Sequence, residues 1–214
     1  MLTVATAIFG PGFPLHEPKD YWGCHFVCFT DRADLRSERW QVVHQARALS
    51  PRRSNRHVKA LLHRYVSGPT LYIDAEFQVV ADPRPVAEAA LERHHWAATR
   101  HPNRDCLFDE AAVCLEKNRV ESPEALTAQV DRYRAVGMPE HSGLWAGNII
   151  ARRGDPESQR LGDDWWAEIE RGSERDQVSL PFVAWKLGLP PGEIPGFYTS
   201  LPWLARRKRE RKYL

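Results

Sequence analysis

The chain has 214 residues, 27% of them charged and 43% hydrophobic, with eight tryptophans and a net charge of only +2. That balance excludes a disordered chain and a polycation, and the length suits one domain with a substantial core rather than two domains and a linker. No run approaches the roughly 20 apolar residues of a membrane-spanning helix, and no pair among Cys24, Cys28, Cys106 and Cys114 has C-x-x-C spacing, so buried free thiols are expected.

The first ten residues lack the basic start of a signal peptide and break at Gly10-Pro11, so Val4 to Phe9 reads as a first strand of a cytoplasmic protein, or of one in the host cytoplasm if the chain is viral. His25 to Phe29 reads as a second strand and Trp40 to Val43 as a short third. Val58, Leu61, Leu62 and Tyr65 then recur at i, i+3, i+4 and i+7, the apolar stripe of an amphipathic helix with Ser54 or Asn55 as its N-cap. Leu71 to Ile73 is an unbroken apolar run, the pattern of a strand covered on both faces. A helix is expected from Pro85 to His95, a strand over Trp96 to Thr99, and a helix from Ser122-Pro123-Glu124 to Gly137, with cap, first-turn proline and terminal glycine in their preferred places. Gly147 to Ala151 reads as another strand and Gln159 to Arg171 as a helix burying Leu161, Trp165 and Ile169. A last helix follows Asp176 and stops at Gly188, with Pro181 kinking it or marking its first turn. Strands alternating with helices give an α/β fold, expected as one domain over residues 1–204 followed by a basic tail over 205–214.

Four constellations carry chemistry. Alternation beyond Ile73 puts Asp74 and Glu76 on one side of a strand, where two carboxylates can share a hard cation such as magnesium or manganese; a half-exposed edge strand accounts for the same spacing. Asp31 ends the second strand, where ligands of open α/β sheets bind, and it also suits a turn cap. Arg56, Lys59 and His63 gather on the helix face opposite the apolar stripe, by default a solvated face. Asp176 opens the last helix as an N-cap or as a base, and Trp145, Gly147 and Asn148 suit either the packing of a sugar ring or, for the tryptophan, the core.

Cys28-Phe29-Thr30-Asp31, Arg56-His57-Val58-Lys59, Tyr72-Ile73-Asp74-Ala75-Glu76, Thr99-Arg100-His101 and Arg175-Asp176-Gln177-Val178-Ser179 occur in an order that resembles the plant mucilage- and pectin-related glycosyltransferase-like domain, a family with bacterial and viral relatives. The resemblance covers about residues 4–188. It implies a single GT-A type, Rossmann-like nucleotide-sugar domain with a mixed central sheet flanked by helices. It also implies a transferase with Mn2+ or Mg2+ on Asp74 and Glu76, the donor against Asp31, Arg56, Lys59 and Asp74, and the acceptor near His101, Trp145, Gly147 and Asn148. Asp176 and Gln177 would lie by the anomeric carbon, Asp176 as general base if the reaction inverts. Glu76 stands where many relatives carry another residue, and no histidine follows His141 to complete a metal shell, which leaves His101, His141, or water and phosphate for that place. The acceptor implied is a glycan; the basic run Arg206 to Lys212 adds a hydroxymethylated base in phage-type DNA as the alternative. Two rivals use the same residues: a non-catalytic nucleotide or nucleic-acid binding module, and a metal-dependent nuclease or phosphotransferase.

Overall fold

The computed structural model describes residues 1–207, so that the end of the basic run, from Lys208 onward, lies outside the described residues. A seven-stranded sheet runs in the order β3-β2-β1-β4-β7-β6-β8, formed by β1 (Thr3–Ile8), β2 (His25–Thr30), β3 (Gln41–His44), β4 (Thr70–Ile73), β6 (Trp96–Arg100), β7 (Trp145–Arg152) and β8 (Gly192–Glu193). β1 to β4 are mutually parallel, β7 runs against both of its neighbours, and the sheet is therefore mixed, as expected. Among the described residues six α-helices accompany it: α1 (Pro51–Ala60), α2 (Arg84–Leu91), α3 (Leu107–Glu116), α4 (Pro123–Ala135), α5 (Pro156–Arg171) and α6 (Asp176–Leu187).

Successive strand residues alternate between two apolar layers, as a two-sided sheet requires. Leu71, Ile73, Ile149 and Ala151 face a layer with α2, whereas Tyr72, Ala98 and Ile150 face the side of α1 and α3 to α6. Trp96 and Trp165, both wholly buried, anchor the second layer. The caps foreseen for α4 are present: Ser122 accepts from the Ala125 amide, Pro123 stands in the first turn, and Gly137 takes φ +82° beyond the end.

Four expectations need correction. α1 begins earlier, because Pro51 supplies the first turn and Ser50, not Ser54 or Asn55, accepts from the Arg53 amide. The apolar run does not continue as one strand through Glu76: β4 stops at Ile73, the Phe77 amide closes a turn onto the Asp74 carbonyl, and β5 (Phe77–Val79) joins a separate two-stranded sheet. Its partner there is β9 (Leu204–Arg206), so Ala205 and Arg206, expected in the tail, are paired into the fold. Pro181 lies well inside α6 rather than in its first turn, leaving the Gln177 carbonyl without its usual helical donor. The helix α3 was not foreseen at all, since Cys106 before it provides no side-chain cap.

Candidate active site

The carboxyl ends of β1, β2, β4 and β6 all open on one edge of the sheet, the edge at which ligands bind in open α/β folds. Because β7 is antiparallel, its beginning lies at that same edge. There β7 bulges away from β6: Ala98 pairs with Ile150 but Thr99 pairs with Ala146, which releases Gly147 and Asn148 from that ladder. On the other side the Asp74 amide donates to the Asn148 carbonyl at 2.9 Å, so the residue after β4 is held beside the bulge.

These two segments wall a polar cavity of about 270 Å³, with Arg56 and Lys59 from α1 and Asp176 and Gln177 from α6 completing it. At its centre Lys59 is 1% exposed. Its ammonium donates to the Gly147 carbonyl at 2.7 Å and to Asp176 Oδ2 at 2.8 Å, and it lies 3.0 Å from Asp74 Oδ1. The Tyr72 ring adds a cation–π contact at 5.0 Å. Lys59 is thus no part of a solvated strip. α1 is covered on its far side by α5, which comes close because Gly162 has no side chain: a Cβ there would lie 2.4 Å from the Ala60 carbonyl. His63 pairs with Asp163 of α5 at 3.1 Å and takes no part in the cavity.

Asp176 is buried as the first residue of α6, while Arg175 holds the cap position. Burial by itself would raise its pKa, but Arg56, 3.1 Å away, and Lys59 more than offset this and pull it down to about 2. Such a carboxylate stays ionised at neutral pH and is a weak proton acceptor. The geometry therefore suits holding Lys59 and Arg56 in place better than abstracting a proton. Since the folded-state pKa lies below the ordinary value of 3.8, the stability that Asp176 supplies is present above that value and is lost as pH falls towards 2. In an acid titration monitored by chemical denaturation, the wild type should lose about 2 kcal/mol through this window on account of Asp176. Asp176→Asn should be less stable at neutral pH and fall less steeply; parallel curves for the two proteins would remove Asp176 from the linkage.

Gly147 keeps the wall open at this point. A Cβ there would lie 3.2 Å from Asp176 Oδ2, a carboxylate already held by two cations. His101 lines the cavity, and its Nδ1 accepts from the Arg104 amide at 3.1 Å, so the neutral ring carries its proton on Nε2. Burial lowers its pKa and favours that neutral form. Three further wall residues had no assigned place in the sequence reading: Glu110 of α3 is buried and receives Arg104 at 2.8 Å and Arg175 at 3.3 Å. Arg175 stood inside a quoted motif and was a readable signal; Glu110 lay on the helix that went unread. Trp145, by contrast, does not line the cavity: it packs edge-on against Trp96 at 6.3 Å, beneath Arg100, in the core.

Oxygen donors suited to a hard cation line the cavity: Asp74, Glu76 and Asn148, whose Oδ1 is buried with no hydrogen-bond partner. An orphaned buried acceptor in a cavity that two carboxylates also line fits an oxygen-coordinated ion. Each carboxylate also has a cationic neighbour, Lys59 for Asp74 and, at 2.9 Å, Arg206 for Glu76. Arg56, whose Nε pairs with Asp176, and Arg175, whose buried Nε has no hydrogen-bond partner, make the same wall cationic and suited to an anion.

Beyond Arg56 and Asp74 the cavity opens into a groove of about 470 Å³ that also reaches Phe9, Phe13 and Tyr72. Through Pro11 and Phe13 this groove joins a wider cleft of about 650 Å³ holding Asp31. Asp31 accepts from the Gly10 amide at 2.8 Å and pairs with Arg47 at 3.3 Å. Asp31 and Asp176 thus mark the two ends of one trough rather than one cluster.

Residues 30–195 match the TOD1/MUCI70, glycosyltransferase-like domain family. A curated Arabidopsis thaliana protein named "Probable hexosyltransferase MUCI70" is 28% identical over 158 residues, covering 68% of this chain and 27% of its own length. The chain therefore spans about a quarter of that relative. Among solved structures, the WbbM bifunctional glycosyltransferase is similar with a TM-score of 0.49 at 11% identity, over 85% of this chain and 37% of that one. The galactosyltransferase LgtC, solved with donor and acceptor sugar analogues, has a TM-score of 0.44 at 11% identity, over 84% of this chain and 70% of that one.

Proposed function

Because the chain belongs to the TOD1/MUCI70 glycosyltransferase-like domain family, we propose that it transfers a hexose or similar sugar from a nucleotide diphosphate donor to a hydroxyl of a glycan. The observation that carries this reading is the convergence of Arg56, Lys59, Asp74, Glu76, Gly147, Asn148, Asp176 and Gln177, distant in sequence, on one polar cavity at the end of a long trough. The nucleoside would lie in the wide cleft, with Asp31 as acceptor for base or ribose. The diphosphate would cross Arg56 and Asp74, and the sugar would enter the small cavity toward His101, Asp176 and Gln177.

Mn2+ or Mg2+ would be held by Asp74, Glu76 and Asn148 and would supply Lewis-acid neutralisation of the diphosphate. The chain's own contribution is electrostatic. Arg56 lines both the groove and the cavity, where a fixed cation stabilises charge developing on the leaving group. Asp176 keeps Lys59 and Arg56 aligned, and Gly147 leaves room for that arrangement. Held between Lys59 and Arg56, Asp176 serves in this reading to position those cations, and Gln177 to orient the acceptor hydroxyl.

A DNA acceptor draws less support. Arg206 and Arg207, which begin the basic run, are tied to Glu76 and Gln78 at 2.9 Å each, and the rest lies outside the described residues. Among the described residues no helix is long and apolar enough to cross a membrane.

The deciding experiment incubates the chain with a panel of nucleotide sugars and manganese and measures release of nucleoside diphosphate. Release with at least one donor, suppressed by chelation and by Asp74→Asn, is expected. Donor binding without release, whatever glycan or modified DNA is added, would leave a binding module on this fold. Cleavage of phosphodiesters with no sugar donor would favour the nuclease.

A further inference from the structure

Outside the trough, at the start of α3, Cys106, Asp109 and His141 offer one ligand atom each within 4.8 Å of one another. Three protein ligands around a tetrahedral zinc stand roughly 3.3–3.8 Å apart, given bonds of about 2.0–2.3 Å, so small side-chain shifts would close this set on an ion. Its chemistry is distinct from that of the trough: a thiol, an imidazole and a carboxylate suit zinc, whereas an all-oxygen set suits magnesium or manganese.

Each ligand is presented by a different feature. Cys106 is the residue before the first turn of α3 and is 2% exposed. Asp109 lies in that first turn, exposed at the surface. His141 comes from the loop before β7, with φ +51°, and its Nδ1 is held by Asp105 Oδ1 at 2.8 Å. That bond leaves Nε2 as the available lone pair and reproduces the carboxylate–histidine pairing that orients imidazole ligands at metal centres. The backbones meet as well, the Gly143 amide donating to the Asp105 carbonyl at 2.9 Å.

We infer that Cys106, Asp109 and His141 form a zinc site, with Asp105 orienting His141 and water as fourth ligand. The site staples the loop from His101 to Asp105, which carries cavity residues His101 and Arg104, to the loop that leads into β7 with Gly147 and Asn148. It is independent of the proposed transfer reaction, and its test needs no substrate.

The test is titration of the chelator-treated full chain with zinc against a chromogenic chelator, and with cobalt followed by absorption. One zinc per chain is expected, together with a near-ultraviolet thiolate-to-cobalt charge-transfer band. Cys106→Ser should abolish that band and, like His141→Ala, weaken zinc binding at least about 100-fold, while Asp105→Asn should weaken it about 10- to 100-fold. Asp74→Asn should leave zinc affinity unchanged, which separates this site from the trough. Absence of stoichiometric zinc, or wild-type zinc affinity in both the Cys106 and His141 variants, overturns the assignment. If Cys106→Ser does not fold, His141→Ala decides alone, since that side chain is 61% exposed and its loss spares the core.

Discussion

Replacing Lys59 by methionine should cost about 3–5 kcal/mol of stability, the typical result of removing one partner from a buried ion pair. Methionine keeps most of the stem's volume, so the loss is electrostatic rather than steric. Asp176, buried, keeps Arg56 and the Gln177 amide but loses the closer of its two cations, and the Gly147 carbonyl loses its donor at 2.7 Å. Against a usual stability of roughly 5–15 kcal/mol, this loss brings the chain close to unfolding. Urea denaturation of Lys59→Met, Asp176→Asn and the double variant supplies the check. The two effects should be strongly non-additive, because each single change strands the partner of the other. A loss below about 1 kcal/mol, or strict additivity, would mean that water or backbone rearrangement replaces the lysine and that the network does not organise the cavity.

Asp74→Asn should have the second large effect, here on donor binding rather than on folding. The substitution preserves shape, and Lys59 keeps Asp176 as its counter-charge, so the loss of stability should be smaller than that for Lys59→Met. What it removes is a carboxylate from the cavity that the orphaned Asn148 oxygen also lines. Manganese-dependent donor affinity, measured calorimetrically, should fall by more than the roughly 10- to 100-fold expected for an outer-sphere partner. Glu76→Gln should act in the same direction with a smaller effect, since Glu76 already shares its charge with Arg206. Donor affinity equal to wild type in Asp74→Asn would sink the metal assignment while leaving the arginine wall as the phosphate site.

Local chemistry was legible wherever it was decided locally. The unbroken run Leu71 to Ile73 is a central strand because no polar side chain interrupts it, and α4 starts and stops where its serine, proline and glycine place it. Helix α3 escaped because Cys106 gives no capping hydrogen bond and its apolar residues do not form a clean stripe. Glu110, and the role of Arg104 on it, went with that helix.

The sequence by itself determined the alternation of strands and helices, the two-sided burial of the sheet and the motif residues that meet at the cavity. It could not determine which of those residues touch. Lys59 is the clearest case: on the helix surface it belongs to a polar face, and only the packing of Asp74 after β4, Gly147 of β7 and Asp176 of α6 around it, with the Tyr72 ring at 5.0 Å, takes that face out of water. Desolvation also decided the character of Asp176, because a carboxylate between two cations in a low-dielectric interior is held at a pKa that no local pattern encodes. The bond from the Asp74 amide to Asn148, the pairing of β5 with β9 and the placing of Trp145 in the core are contacts across long stretches of chain as well. Their energies appear only once folding has closed those loops, whereas caps and strand runs report on neighbours a few residues away.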